Sequence, residues 1–126
     1  ENFFYFFDNK IFLKRFEKKN KLLTLIDKKS KKIVCYGWCS NNDIHNVDEI
    51  NKKIYFKNGN ILYDFFTLNE YRNKKLYKYL LYQISLNLKR PLYIYSLSSN
   101  KKSLNAIIRT GFCSIKNLNF FSDNVL

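Results

Sequence analysis

The chain has 126 residues, 46% of them hydrophobic and 18% aromatic, and carries a formal net charge of +13. This is enough apolar material for one core and a length suited to one domain, taken as residues 1–126, so global disorder is excluded. No apolar run reaches the roughly 18 to 20 residues needed to span a bilayer, so membrane insertion is not expected.

Several segments of the first half read as strands. Residues 3–7 and 11–16 are candidate strands joined by Asp8, Asn9 and Lys10. Residues 22–27 and 33–40 flank the polar stretch 28–32, which is a hairpin signal. Residues 41–59 are polar and read as a loop, with a short strand at 54–56. Residues 61–68 form a nearly continuous apolar run interrupted by Asp64 and Thr67, which suits a strand covered on both faces.

The period then changes. Leu76, Leu80, Ile84 and Leu88 fall at helical spacing, and Pro91 stops the helix. The helix is expected from about Asn73. Residues 92–97 are another strand. Ser99 or Asn100 caps a second helix that turns Leu104, Ile107 and Ile108 inward and ends at Gly111. Residues 113–121 read as a last strand. The fold class is therefore α/β, or α+β with a mixed sheet. Its first half is antiparallel, its central strand pair (61–68 and 92–97) is parallel, and helices flank it.

The charge suggests affinity for phosphate, although lysine-rich coding bias accounts for much of it. Its clustering is more specific. Between the strand at 61–68 and the following helix lie Arg72, Lys74, Lys75 and Lys78, four cations within seven residues. A helix start adds free backbone N–H groups and a positive dipole end. The three cysteines, Cys35, Cys39 and Cys113, are odd in number. In a strand the first two lie about 13 Å apart, beyond disulfide reach. Reduced core thiols suit the cytoplasm. No Cys/His set has zinc-ligand spacing, so no metal is expected.

The segment LYDFFTLNEYRNKKLYKYLL resembles the core motif of the GNAT N-acetyltransferase superfamily, a strand followed by Arg/Gln-x-x-Gly-x-Gly/Ala and a helix. Arg72 takes the leading position. SSNKKSLNAIIRTGF resembles the family's downstream motif, with Asn100, Ala106, Gly111 and Phe112 in their places. CYGWCS is similar to the end of the family's hairpin of second and third strands. The resemblance covers roughly residues 20 to 115.

It implies a GNAT-like fold that takes acetyl-CoA as acetyl donor through 71–81. Arg72, Asn73, Lys74, Lys75, Leu76 and Tyr77 would hold the pyrophosphate. Phe66, Thr67 and Leu68 would pair with pantetheine, and Asn100 would sit beside that arm. The acceptor implied is a small-molecule amine, such as an amino sugar, in preference to a protein; nucleic acid is not expected as a partner.

The family's two small loop positions are Lys75 and Tyr77 here, and Ile107 stands where the family places an acid tyrosine. At a helix start with negative φ, a lysine presents its N–H as well as glycine does. Asp64 and Tyr95 are the catalytic candidates. Asp64 in a buried strand would have a raised pKa suited to a base, or it makes a structural hydrogen bond. Tyr95 and Tyr63 are candidate proton donors. The coenzyme thiol is acidic enough to leave unassisted, so no single tyrosine is expected to be indispensable. His45 in the polar loop is a base or simply exposed. A GNAT-like domain that binds coenzyme A without catalysis, and a nucleic-acid module, are the alternatives.

Overall fold

The computed structural model describes residues 9–42, 44–47, 50–56, 58–114, 120–121 and 124–125. In chain order these form α1 (Asn9–Glu17), β1 (Lys21–Ile26), β2 (Ile33–Ser40), β3 (Ile44–Val47), β4 (Lys52–Tyr55), β5 (Asn60–Thr67), a 3-10 turn (Asn69–Tyr71), α2 (Leu76–Asn87), β6 (Leu92–Ile94), α3 (Lys101–Thr110), β7 (Phe120–Phe121) and β8 (Asn124–Val125). The central sheet runs β1-β2-β5-β6. β1, β2 and β5 pair antiparallel, and β5 and β6 pair parallel. The mixed sheet with its parallel central pair is the one the sequence predicts.

β2 is buried along almost its whole length, because both its faces are covered. Cys35 and Cys39 pack with Leu62 against Leu80, Leu81 and Ile84 of α2 and Ile107 of α3. Tyr36 and Trp38 point to the other face, where they meet Phe12 of α1 and Tyr63. Burial pushes both thiols up, Cys39 to about 11, so they stay protonated core groups.

Residues 11–16, read as a strand, lie in helix α1. A short apolar run has no period of its own to decide the matter. The bare Tyr36–Trp38 face decides it. Phe12 and Phe16, one helical turn apart, set their rings 4.8 and 5.2 Å from that of Trp38, while Ile11 and Leu13 turn outward. The stretch 41–59, read mainly as a loop, contains the β3–β4 hairpin, in which His45 pairs with Ile54. Residues 3–7 lie outside the described residues. So does most of 113–121. Of the rest, Cys113 and Ser114 have no regular structure and Phe120–Phe121 pairs with β8.

The β2–β5 ladder slips by one residue: Tyr36 faces Phe66, but Trp38 faces Tyr63. Asp64 and Phe65 therefore stand opposite Gly37 alone, a β-bulge, with Asp64 in the left-handed region at φ 54. A Cβ on residue 37 would lie 2.2 Å from the Phe65 ring, so only glycine lets that ring lie across β2.

α2 begins at Leu76, not near Asn73. Asn73 and Lys75 have φ of 64 and 61, which no continuous helix contains. α3 follows its sequence signals. The Asn100 side chain accepts from the Ser103 N–H at 3.1 Å, and Gly111 closes the helix at φ 111. Ile107 is buried as expected, but Ile108 is 61% exposed, turned off the side of α3 that packs on the core. No helix among the described residues is long and apolar enough to cross a membrane.

Candidate functional site

The link from β5 to α2 is tied down at three points. The Leu68 N–H donates to Val34 O at 2.9 Å. Tyr71 Oη donates to Asp27 Oδ2 at 3.1 Å. Arg72 folds back, donating from Nε to Thr67 O at 2.9 Å with its guanidinium 5.4 Å from the Phe66 ring centroid. Asp27 also accepts from Ser30 Oγ and the Lys29 N–H. These hydrogen bonds, Ser30's foremost, hold its carboxyl below the usual carboxylate value.

Beyond Arg72 the chain becomes glycine-like without glycine. The negative φ expected at Lys75 is not found; the lysine is left-handed and forms the N-cap of α2. An ordinary L-residue loses roughly 1 to 2 kcal/mol in that region. Among the described residues no side chain caps the start of α2. Its first-turn N–H groups are therefore left to solvent or a ligand, at the positive end of a 12-residue dipole. Beside them an open groove of about 440 Å³ is lined by Lys75, Lys78, Tyr79, Tyr82, Arg109 and Thr110. Lys75 and Lys78 at the start of α2, Tyr79 and Tyr82 along it and Arg109 in the last turn of α3 suit a phosphorylated, ring-bearing ligand.

Tyr77 does not join this surface. Its hydroxyl lies 3.1 Å from Ser103 Oγ and its ring 5.1 Å from that of Phe65. Burial raises its pKa, so it remains a neutral strut between the first turns of α2 and α3. Leu76 packs beside it against the core, and Lys74 Nζ lies 5.3 Å from the Tyr71 ring centroid. Asn100 stands at the α3 start with its Oδ1 committed to the cap.

The central strands part next to this loop. Ladder pairing of β5 with β6 stops at Leu62 and Ile94. Past that rung the bulge at Asp64 bends β5, and Phe66 and Thr67 have no parallel partner in β6 among the described residues. The Thr67 hydroxyl donates to Cys35 Sγ at 3.3 Å.

Asp64 is not the buried carboxylate the apolar run suggests. Its side chain is 45% exposed and accepts from Arg15 Nη1 at 2.7 Å. The bulge turns it out toward α1.

Tyr63 and Tyr95 are the first residues past the last paired rung, and both lie on the α1 face. There they meet His45, which is only 6% exposed. His45 Nε2 and Tyr95 Oη are 3.0 Å apart, and the His45 ring centroid is 4.3 Å from that of Tyr63. The Arg15 guanidinium sits 5.1 Å from the Tyr63 centroid and 5.0 Å from that of Trp38. His45 and Tyr63 line a second pocket, of about 360 Å³, against α1. The polar stretch 41–59 predicts a loop around His45, whereas His45 lies in β3. No apolar/polar alternation marks it in the sequence, since the structure exposes apolar Ile44 and buries polar His45.

No family model matches the sequence, and no curated protein does. The fold is similar to that of the aminoglycoside antibiotic 6'-N-acetyltransferase of Acinetobacter baumannii, with TM-score 0.63 and 14% identity over 96% of this chain and 84% of that one. It is also similar to the aminoglycoside antibiotic 6'-N-acetyltransferase of Acinetobacter haemolyticus, with TM-score 0.64 and 13% identity over 92% and 79%. With the parted parallel strands, the bulge and the basic helix start in place, this chain has the fold of the GNAT N-acetyltransferases.

Proposed function

We propose that the chain is an acetyl-CoA-dependent N-acetyltransferase acting on a small amine. The observation that carries this reading is the parting of β5 from β6 between two prepared surfaces. On one side lies the uncapped start of α2, and on the other the pocket holding His45 and Tyr63. A donor that passes between the strands meets both.

Acetyl-CoA, when bound, supplies a thioester-activated acetyl group. Backbone N–H groups of Lys75 to Lys78 hold its pyrophosphate, and Lys75, Lys78 and Arg109 add charge along the groove. The strand edge at Phe66 and Thr67 aligns the pantetheine arm. Leu68 contributes less than the sequence implies, because its N–H already serves Val34. Asn100 keeps its amide N–H₂ for that arm while its Oδ1 caps α3. Arg72 shapes the loop through Thr67 O.

Attack requires a neutral amine. His45 is the group best placed to take the proton, with Tyr95 fixing its ring through the Nε2–Oη bond. Asp64 acts through Arg15, which it holds over Tyr63 at the pocket edge. The thiol of coenzyme A has a pKa not far from that of cysteine, about 8.5, so the thiolate leaves without a dedicated acid. His45→Ala should therefore lower turnover more than Tyr95→Phe, with acetyl-CoA affinity unchanged in both.

A second reading, coenzyme A binding without catalysis, is favoured by Ile107, which lies buried in the core where the family has its acid tyrosine. Calorimetric titration with acetyl-CoA, followed by mass-spectrometric detection of acetylated products from an amine panel, separates the two. Binding with product supports the enzyme, and binding without product across the panel supports the second reading. No binding removes both.

A further inference from the structure

The pocket against α1 has an electrostatic character that the fold does not require. Lys14, Arg15 and Lys18 line it together with Asn20, His45 and Tyr63, and no carboxylate lines it among the described residues. Arg15 is already paired with Asp64. Lys14 and Lys18 lie one helical turn apart and have no ion-pair partner among the described residues. Two like charges at that spacing repel each other unless an anion sits between them. Asn20 Oδ1 in the same wall is buried without a hydrogen-bond partner.

We infer that the acceptor amine also carries an anionic group, a phosphate or a carboxylate, and that Lys14 and Lys18 hold it. This rests on the acetyltransferase reading for the word acceptor, but not for the binding itself. The amine end then lies toward Tyr63 and His45, where the strands part. An amine with several positive charges and no anionic group is disfavoured, since it would enter a pocket already lined by three cations.

The test is calorimetry without acetyl-CoA, using amine pairs that differ only in the anionic group. O-phosphoethanolamine is compared with ethanolamine, β-alanine with β-alaninamide, and tobramycin serves as the polycation. At least one member with the anionic group should bind about tenfold more tightly than its partner without it, a difference of roughly 1.4 kcal/mol. The pair with the larger ratio identifies phosphate or carboxylate. The double variant Lys14→Glu with Lys18→Glu should erase the ratio while coenzyme A affinity stays unchanged. Both residues are exposed, Lys14 on α1 and Lys18 in the turn that follows it, so the fold tolerates the reversal. Equal affinities within both pairs, no binding by any of the four, or tobramycin binding most tightly would each overturn the inference. None of these outcomes touches coenzyme A binding at α2, so the two readings fail separately.

Discussion

The helices α2 and α3 pack on the same face of one sheet and begin in opposite ways. α3 starts with Asn100, whose side chain satisfies the Ser103 N–H. α2 starts with Lys75, which is left-handed and caps nothing. One start uses its own chain to satisfy a backbone donor; the other leaves its donors open and surrounds them with cations. The difference separates a helix start that serves stability from one that serves binding. Natural proteins commonly hold strained backbone where a ligand approaches.

The harshest way to break this contrast is Lys75→Pro. Proline cannot reach the φ of 61 found there, so the loop must rearrange. We expect a loss of roughly 3 kcal/mol in stability, together with loss of coenzyme A binding. Urea unfolding and calorimetry read the two effects. Wild-type affinity in this variant would show that the helix start is not the phosphate site.

Asn100→Ala should cost about 1 kcal/mol of stability, the usual price of a lost cap. Lys75→Ala should stay within about 0.5 kcal/mol, because no cap is lost and alanine is equally strained. Lys75→Ala should weaken coenzyme A by about 1 kcal/mol or less, and by less still at high salt. Equal stability losses would erase the distinction between the two helix starts.

Lys75→Gly sharpens the comparison further. Glycine relieves the left-handed strain but gives up chain entropy, for a net stability gain of about 0.5 to 1 kcal/mol. A stability loss would mean that the lysine side chain contributes packing the backbone geometry does not reveal.

The smallest effect is on pH. Asp27 anchors the loop before α2 through Tyr71 Oη, and its folded pKa lies below the ordinary 3.8. Its contribution is therefore present above about pH 3.8 and lost as pH falls through the lowered folded value. The stability gap between wild type and Asp27→Asn should be open at neutral pH and close in that acid window. A gap that widens on acidification would reverse the assignment.

Much of the α2–α3 half was legible in the sequence. The helical spacing from Leu76, the Asn100 cap and the Gly111 stop act over a few residues, and they appear where local chemistry puts them. The basic cluster and its place between strand and helix were legible for the same reason. The left-handed Lys75 was not, because nothing in a lysine announces positive φ. Nor was the exposure of Asp64. Its direction follows from a one-residue slip against Gly37, and a slip is a relation between two strands 27 residues apart.

The sequence by itself determined the alternation of strands and helices in the second half, the antiparallel hairpin of β1 and β2, and the site of positive charge. These follow from short-range periodicity, capping and turn chemistry. Tertiary structure alone decided that residues 11–16 coil into a helix over Tyr36 and Trp38, and that His45 is buried against Tyr63 and Tyr95. It also decided that the central strands separate after Leu62 and Ile94. A short apolar segment takes whichever conformation covers an otherwise bare face, and a ladder ends where a bulge in one of its own strands bends that strand away. Both depend on surfaces that exist only once the distant parts of the chain have met.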